Sequence, residues 1–119
     1  MSHKNTGLRF SSDGLWIGIS DGKAKIGITD GAQEEMGEVV YVQPPVPGRK
    51  VSKGDEIGAI ESFKSVSPII SPVSGTVVSV NSLLEENPSL MNSDPYGEGW
   101  LAEIELDNAE ELSELSETE

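Results

Sequence analysis

Cysteine is absent from the 119 residues. That excludes a disulfide scaffold, thiolate-bound zinc and a thiol nucleophile. Histidine occurs once, as His3 near the start of the chain, which argues against a histidine triad or a multi-histidine metal site. Basic residues are scarce: 8 Lys and Arg stand against 21 Asp and Glu, a net charge of −13. Such a surface repels the phosphate backbone of nucleic acid and anionic lipid headgroups. No apolar run approaches the ~18 residues of a membrane span, and Met1–Phe10 lacks the apolar stretch of a signal peptide. The expectation is a small, acidic, soluble, cytoplasmic domain that binds neither nucleic acid nor membrane. Hydrophobic residues make up 35% of the chain, and the 13 glycines bring apolar content close to the ordinary globular range. The length suits one modest core.

Short apolar segments separated by turn formers dominate the remainder. Leu15–Ile19 reads as a strand, Ser20-Asp21-Gly22 as a hairpin turn, and Ala24–Thr29 as the returning strand with Ala24, Ile26 and Ile28 on one face. Asp30 with Gln33 fits a capping box for a short helix that Gly37 stops. Val39–Val42 is a β-branched and aromatic strand ending at Pro44-Pro45-Val46-Pro47-Gly48. After a turn at Val51–Asp55 come two β-like segments, Glu56–Glu61 and Val66–Ile70, the second interrupted by Pro68. Thr76–Val80 and Trp100–Leu106 are further strands. Between them, Ser82 with Glu85 predicts a one-turn helix, and Asn92–Gly99 a loop. These segments predict a flexible lead-in over 1–12, a domain over 13–106, and an acidic C-terminal segment over 107–119 with a short helix near Glu110–Leu115 and disorder beyond. Many short strands with Gly/Pro turns point to a mainly β sandwich or flattened barrel.

Pro45-Val46-Pro47-Gly48 recurs as Pro72-Val73-Ser74-Gly75, and Lys64 lies between the copies. The echo reads either as a two-fold repeat that puts Lys64 at the bend between related halves, or as common turn vocabulary. Lys4, Lys23, Lys25, Lys50 and Lys53 lie in polar or turn contexts. Lys64 instead sits between two β-like segments, beside Glu61, Ser62 and Ser65. A lysine on a tight turn presents a flexible amine without burying its charge. Pattern alone leaves Lys64 either an ordinary surface residue or a displayed nucleophile.

The segment GITDGAQEEMGEVVYV (Gly27–Val42) resembles a family pattern, GITD-x-AQ-x-x-x-G-[DE]-[IV]-V-[FY]-V. The match continues through Pro47-Gly48, Gly54, Gly58, Glu61-Ser62-x-Lys64, Ser71–Gly75, Val80-Asn81, Asn92, Asp94–Gly97 and Gly99–Leu101. On these motifs, which run from about Asp13 to Ile104, the chain is similar to the H proteins of the glycine cleavage system. The resemblance implies a hybrid-motif barrel-sandwich of two small antiparallel sheets. It implies lipoate in amide linkage on Lys64, with Glu61, Ser62, Phe63 and Ser65 presenting the lysine and serving ligase recognition. It implies a carrier that is a substrate of other enzymes and not itself an enzyme. The partners implied are a lipoate-protein ligase or lipoyl transferase and dihydrolipoamide dehydrogenase. A cysteine-free carrier also cannot form a mixed disulfide with its own dithiolane. Biotin carriers flank their lysine with methionines, and 2-oxoacid dehydrogenase lipoyl domains show Asp-Lys-Ala. Phe63 and Ser65 fit neither.

The chain departs from the family at two places. Gly14 and Leu15 stand where a His and a Glu precede Trp16, and Pro68 stands where an Asp follows the lysine. In the family those carboxylates belong to a cleft that receives an amine-loaded arm, and a cationic amine requires acceptors. Their loss favours a different cargo. The expectation is therefore an H-like lipoate-binding protein of sulfur oxidation, working with a heterodisulfide-reductase-like complex. The alternatives are a glycine cleavage H protein carrying the aminomethyl group, a lipoate-relay carrier, or an unmodified interaction module. Trp16 and Trp100 read as packing residues, while Phe63 is equally suited to touch the arm or a partner. The acidic Glu103–Glu119 segment reads as a solvated face that can steer the chain toward basic docking surfaces.

Overall fold

Alternation of apolar and polar residues sets the strands, because every second side chain faces the core. The computed structural model describes residues 7–118. The strands are β1 (Leu8–Phe10), β2 (Leu15–Ser20), β3 (Lys23–Ile28), β4 (Val39–Gln43), β5 (Lys50–Val51), β6 (Glu56–Ser62), β7 (Val66–Ile70), β8 (Gly75–Val80) and β9 (Ala102–Leu106). The helices are α1 (Asp30–Met36), α2 (Leu83–Glu86) and α3 (Leu90–Ser93), followed by a 3-10 helix at Ala109–Glu114. One antiparallel sheet has six strands in the order β1-β2-β3-β9-β8-β5, and the other has three in the order β4-β6-β7. Ala24, Ile26, Val77 and Ile104 from the large sheet are fully buried, and Val39, Ile57, Ile60 and Ile69 from the small sheet join the same core. This is the mainly β sandwich expected from the sequence. Among the described residues, no helix is long and apolar enough to cross a membrane.

Local chemistry explains most of the connections. Asp21 and Gly22 both take positive φ, at 53° and 75°, as a two-residue turn between twisted strands requires. Pro68 interrupts nothing: β7 is an edge strand, so its missing N–H breaks no ladder, and it pairs across from Ala59 on β6. The two Pro-Val-x-Gly segments lead into β5 and β8, which pair with each other through Lys50↔Thr76 and Val51↔Gly75.

Several boundaries differ from expectation. The lead-in is not wholly loose, since β1 pairs with β2 and Phe10 is buried. Residues 1–6, with His3 and Lys4, lie outside the described residues. Thr29, not Asp30, caps α1: its hydroxyl accepts from the Ala32 amide, while Asp30 accepts from the Gln33 side chain. Ser82 makes no side-chain cap on α2, and the Asn81 carboxamide takes the Leu83 amide instead. Part of the expected Asn92–Gly99 loop belongs to α3. The last strand begins at Ala102, so Trp100 lies before it. The C-terminal segment is not a separate appendage: Leu115 is buried in the core, and Ser116 bridges to Phe10.

Candidate functional site

The β6–β7 hairpin turns through Ser62-Phe63-Lys64-Ser65 and carries the one lysine that the sequence singles out. Its closure comes from serine. The Ser62 amide donates to the Ser65 carbonyl at 2.8 Å. The Ser62 hydroxyl accepts from the amides of Lys64 (3.3 Å) and Ser65 (3.2 Å) and donates to the Ser65 carbonyl. A short hydroxyl side chain thus replaces the partners that the turn backbone lacks. Both flanking serines of the expected site therefore shape the tip.

A second attachment lies farther back in sequence. The Phe63 amide donates to the Glu38 carbonyl at 3.2 Å. Glu38 links α1 to β4, and that link is held by Asn92. The Asn92 Oδ1 accepts from the Val39 amide, and its Nδ2 donates to Gln33 Oε1 and to the Gly37 carbonyl, at 2.8–2.9 Å. Sequence reasoning gave neither Glu38 nor Gly37 a role at the site and placed Asn92 only in a loop and a motif. Their partners are remote in sequence, so the only signal was the motif match, which includes Gly37 and Glu38 as well as Asn92.

Lys64 is exposed, and its stem runs over Gly37: a Cβ built on that glycine would lie 3.1 Å from the Lys64 Cε. Among the described residues the Lys64 ammonium has no ion pair or side-chain hydrogen bond. The other described lysines are engaged or lie within strands. Lys50 pairs with Asp107 at 3.1 Å, Lys53 pairs with Glu114, and Lys25 sits 5.0 Å from the Trp100 ring centroid. Lys23 lies on β3. A covalent group of the lipoate kind needs a primary amine that can be reached, neutralised and acylated without loosening the fold. Lys64 meets that requirement.

The remaining expected residues divide clearly. Glu61 is half-buried on β6, directly across from Tyr41 on β4 and Val66 on β7. Phe63 is 76% exposed and packs into no core. Trp16 is buried, and its indole N–H donates to the Pro95 carbonyl at 2.8 Å, so it serves packing. The departures Gly14, Leu15 and Pro68 come together on a cleft of about 570 Å³ that Ser65 borders, with Asp13 and Glu35 also on its walls. Leu15 is buried, so the cleft floor is apolar where the family pattern has a carboxylate. A larger cavity of about 660 Å³ touches none of the hairpin turn residues. No group of three or more metal-ligating side chains occurs among the described residues.

Residues 8–119 match the family model described as glycine cleavage H-protein. A glycine cleavage system H protein of Aeromonas hydrophila is 46% identical over 120 residues, covering 100% of this chain and 93% of the relative. One from Coprothermobacter proteolyticus is 44% identical over 114 residues, covering 95% and 90%. A probable one from Haloarcula marismortui is 41% identical over 108 residues, covering 91% and 85%. The crystal structure of a glycine cleavage system H protein from Mycobacterium marinum superposes with a TM-score of 0.85 at 37% identity, covering 92% of this chain and 89% of that one. Proteins of this family hold lipoate covalently on a lysine and act as carriers, not catalysts. With the model match spanning every strand and the fold reproduced in a solved relative, the chain belongs to the glycine cleavage H-protein family.

Proposed function

We propose that this chain is the aminomethyl carrier of a glycine cleavage system, with lipoate attached through Lys64. The single observation that carries the attachment site is the exposed Lys64 amine, unpaired among the described residues, on a hairpin tip fastened by Ser62 and Glu38. When bound, lipoate supplies a dithiolane that accepts a one-carbon amine unit from one enzyme and is reoxidised by another. The chain's own residues do the mechanical work. Ser62 and Ser65 keep the tip rigid, so the Lys64 backbone is held at a fixed place while the amine swings on its flexible stem. Phe63, turned outward, and Glu61 are the contacts that a modifying enzyme meets. A rigid carrier also holds its arm at high local concentration beside a docked partner.

The partners of this reading are a lipoate-protein ligase or lipoyl transferase, the glycine cleavage enzymes and dihydrolipoamide dehydrogenase, in the cytoplasm. The named relatives all bear the glycine cleavage designation, which supports this cargo over sulfur. The sulfur-oxidation reading, with its heterodisulfide-reductase-like partner, rests only on Gly14, Leu15 and Pro68, and no relative named above supports it.

The test has two stages. Co-expression with a lipoate ligase and lipoate should add one lipoyl mass, and Lys64→Ala should abolish the gain. The loaded protein should then support glycine–bicarbonate exchange with the decarboxylating partner. No lipoyl gain would overturn the carrier reading, and a lipoylated but exchange-inactive protein would overturn the cargo.

A further inference from the structure

The small sheet and its hairpin turn expose several large apolar side chains. Of eight large hydrophobic side chains exposed among the described residues, Val40, Tyr41, Phe63 and Val66 sit on this sheet or on its hairpin turn. Pairing places Tyr41, Glu61 and Val66 in one row, because Glu61 stands opposite Tyr41 on one side and Val66 on the other. Directly paired residues share a face. Tyr41 is 52% and Val66 65% exposed, so this face looks to solvent. The row lies immediately behind the turn that carries Phe63 and Lys64. Exposed apolar side chains flanking one carboxylate beside a reactive amine mark an interaction surface. Glu61 lies within it and Glu38 lies behind the turn, in a chain of net charge −13.

We infer that Tyr41, Phe63 and Val66 form the docking face for the enzyme that acylates Lys64, and that this enzyme presents an apolar depression rimmed by basic side chains. The inference rests on the lipoyl-carrier reading and adds to it the surface, beyond the turn itself, that the modifying enzyme grips. Reach decides between possible occupants. An acylating enzyme must enclose the amine at the end of a four-carbon stem, and neighbouring strands lie only ~4.8 Å apart. It therefore covers Val66 and Glu61 whenever it reaches Lys64. Enzymes that later use the dithiolane meet the far end of a longer arm and need not touch this sheet. The charge argument points the same way: an acidic chain is complementary to a basic rim. In the acylation itself, the neutral Lys64 amine attacks the carbonyl of lipoate activated by ATP. The amide C–N bond forms, the bond to the adenylate breaks with its electron pair, and the amine proton passes to solvent.

The experiment is steady-state lipoylation of the full chain by a lipoate-protein ligase, with lipoate and ATP saturating and the carrier varied. Tyr41→Ser, Phe63→Ser and Val66→Ser should each raise the KM for the carrier by about fivefold or more, while kcat stays within about twofold. Added potassium chloride should raise the parent KM, and Glu61→Gln should flatten that dependence. Val78→Ser, an exposed change on the large sheet, is the control and should leave KM unchanged. Melting curves select variants that fold, so that KM is read only on native protein. Efficient acylation with unmoved KM in Tyr41→Ser and Val66→Ser overturns this inference and leaves the carrier reading intact. A parent chain that no ligase acylates at Lys64 overturns both.

Discussion

The amide of Phe63 is fastened to the carbonyl of Glu38 at 3.2 Å, so the hairpin that presents Lys64 is tied to the segment between α1 and β4. That segment depends in turn on Asn92, which satisfies the Val39 amide and the Gly37 carbonyl. Asn92→Ala leaves both groups without these partners. An unsatisfied, partly buried backbone group costs about 1–3 kcal/mol. The variant should lose stability in that range by urea denaturation. Its Phe63 amide should exchange with deuterium faster than in the parent, while amides of β9 keep their relative order. An unchanged Phe63 exchange rate would show that the Glu38 tie does not rely on Asn92.

Gly37 offers a second test of the same support. It adopts φ 82° and ψ −166°, a region occupied almost only by glycine, where another residue costs about 1–3 kcal/mol. A Cβ there would also press on the Lys64 stem at 3.1 Å, but the stem is flexible and can give way. Backbone strain therefore outweighs the contact with the stem. Gly37→Ala should lower the unfolding free energy by that amount yet leave Lys64 reactive toward an amine-selective reagent such as an activated ester. A variant as stable as the parent would rule out the strained conformation.

What the sequence made legible was local or periodic. Ala24, Ile26 and Ile28 announce β3 because one face of the strand is buried, and Asp21-Gly22 fixes its turn. The exposed tip at Lys64 was legible because its closing serines lie within four residues. Pro68 read as an interruption only because sequence does not reveal which strand is an edge. β1 stayed hidden because three residues carry no period and pair only through a partner strand. The contacts that steady the site, Glu38 with Phe63 and Asn92 with Val39, join distant segments and leave no spacing to read. The cofactor came from the motif match; composition excluded rivals without naming it.

Lys64 itself contributes little to the fold. It is exposed, and its ammonium has no partner among the described residues. Exposed substitutions of this kind usually change stability by less than about 0.5 kcal/mol. Lys64→Ala should therefore melt with the parent in differential scanning calorimetry while losing all lipoylation. A variant that unfolds well below the parent would place the lysine in a structural role and contradict its display at the tip.

The acidic C-terminal segment behaves as a strap and not as a loose solvated tail. Leu115 is only 9% exposed and belongs to the core cluster. Ser116 and Phe10 exchange two backbone hydrogen bonds at 2.8 and 2.9 Å, and the Glu111 carboxylate accepts from the Ser74 amide and hydroxyl at 2.7 and 2.8 Å. Leu115→Ala removes a buried side chain and should cost about 2 kcal/mol. Glu111→Ala leaves a half-buried serine amide without its acceptor and should cost about 1 kcal/mol. None of these contacts reaches the Ser62–Ser65 turn, so both variants should be lipoylated with the parent's kinetics at a temperature where they are folded. Stability is thus expected to separate from carrier function at this end of the chain. A Leu115→Ala protein with the parent's midpoint would return the segment to the solvated face that its charge alone suggests.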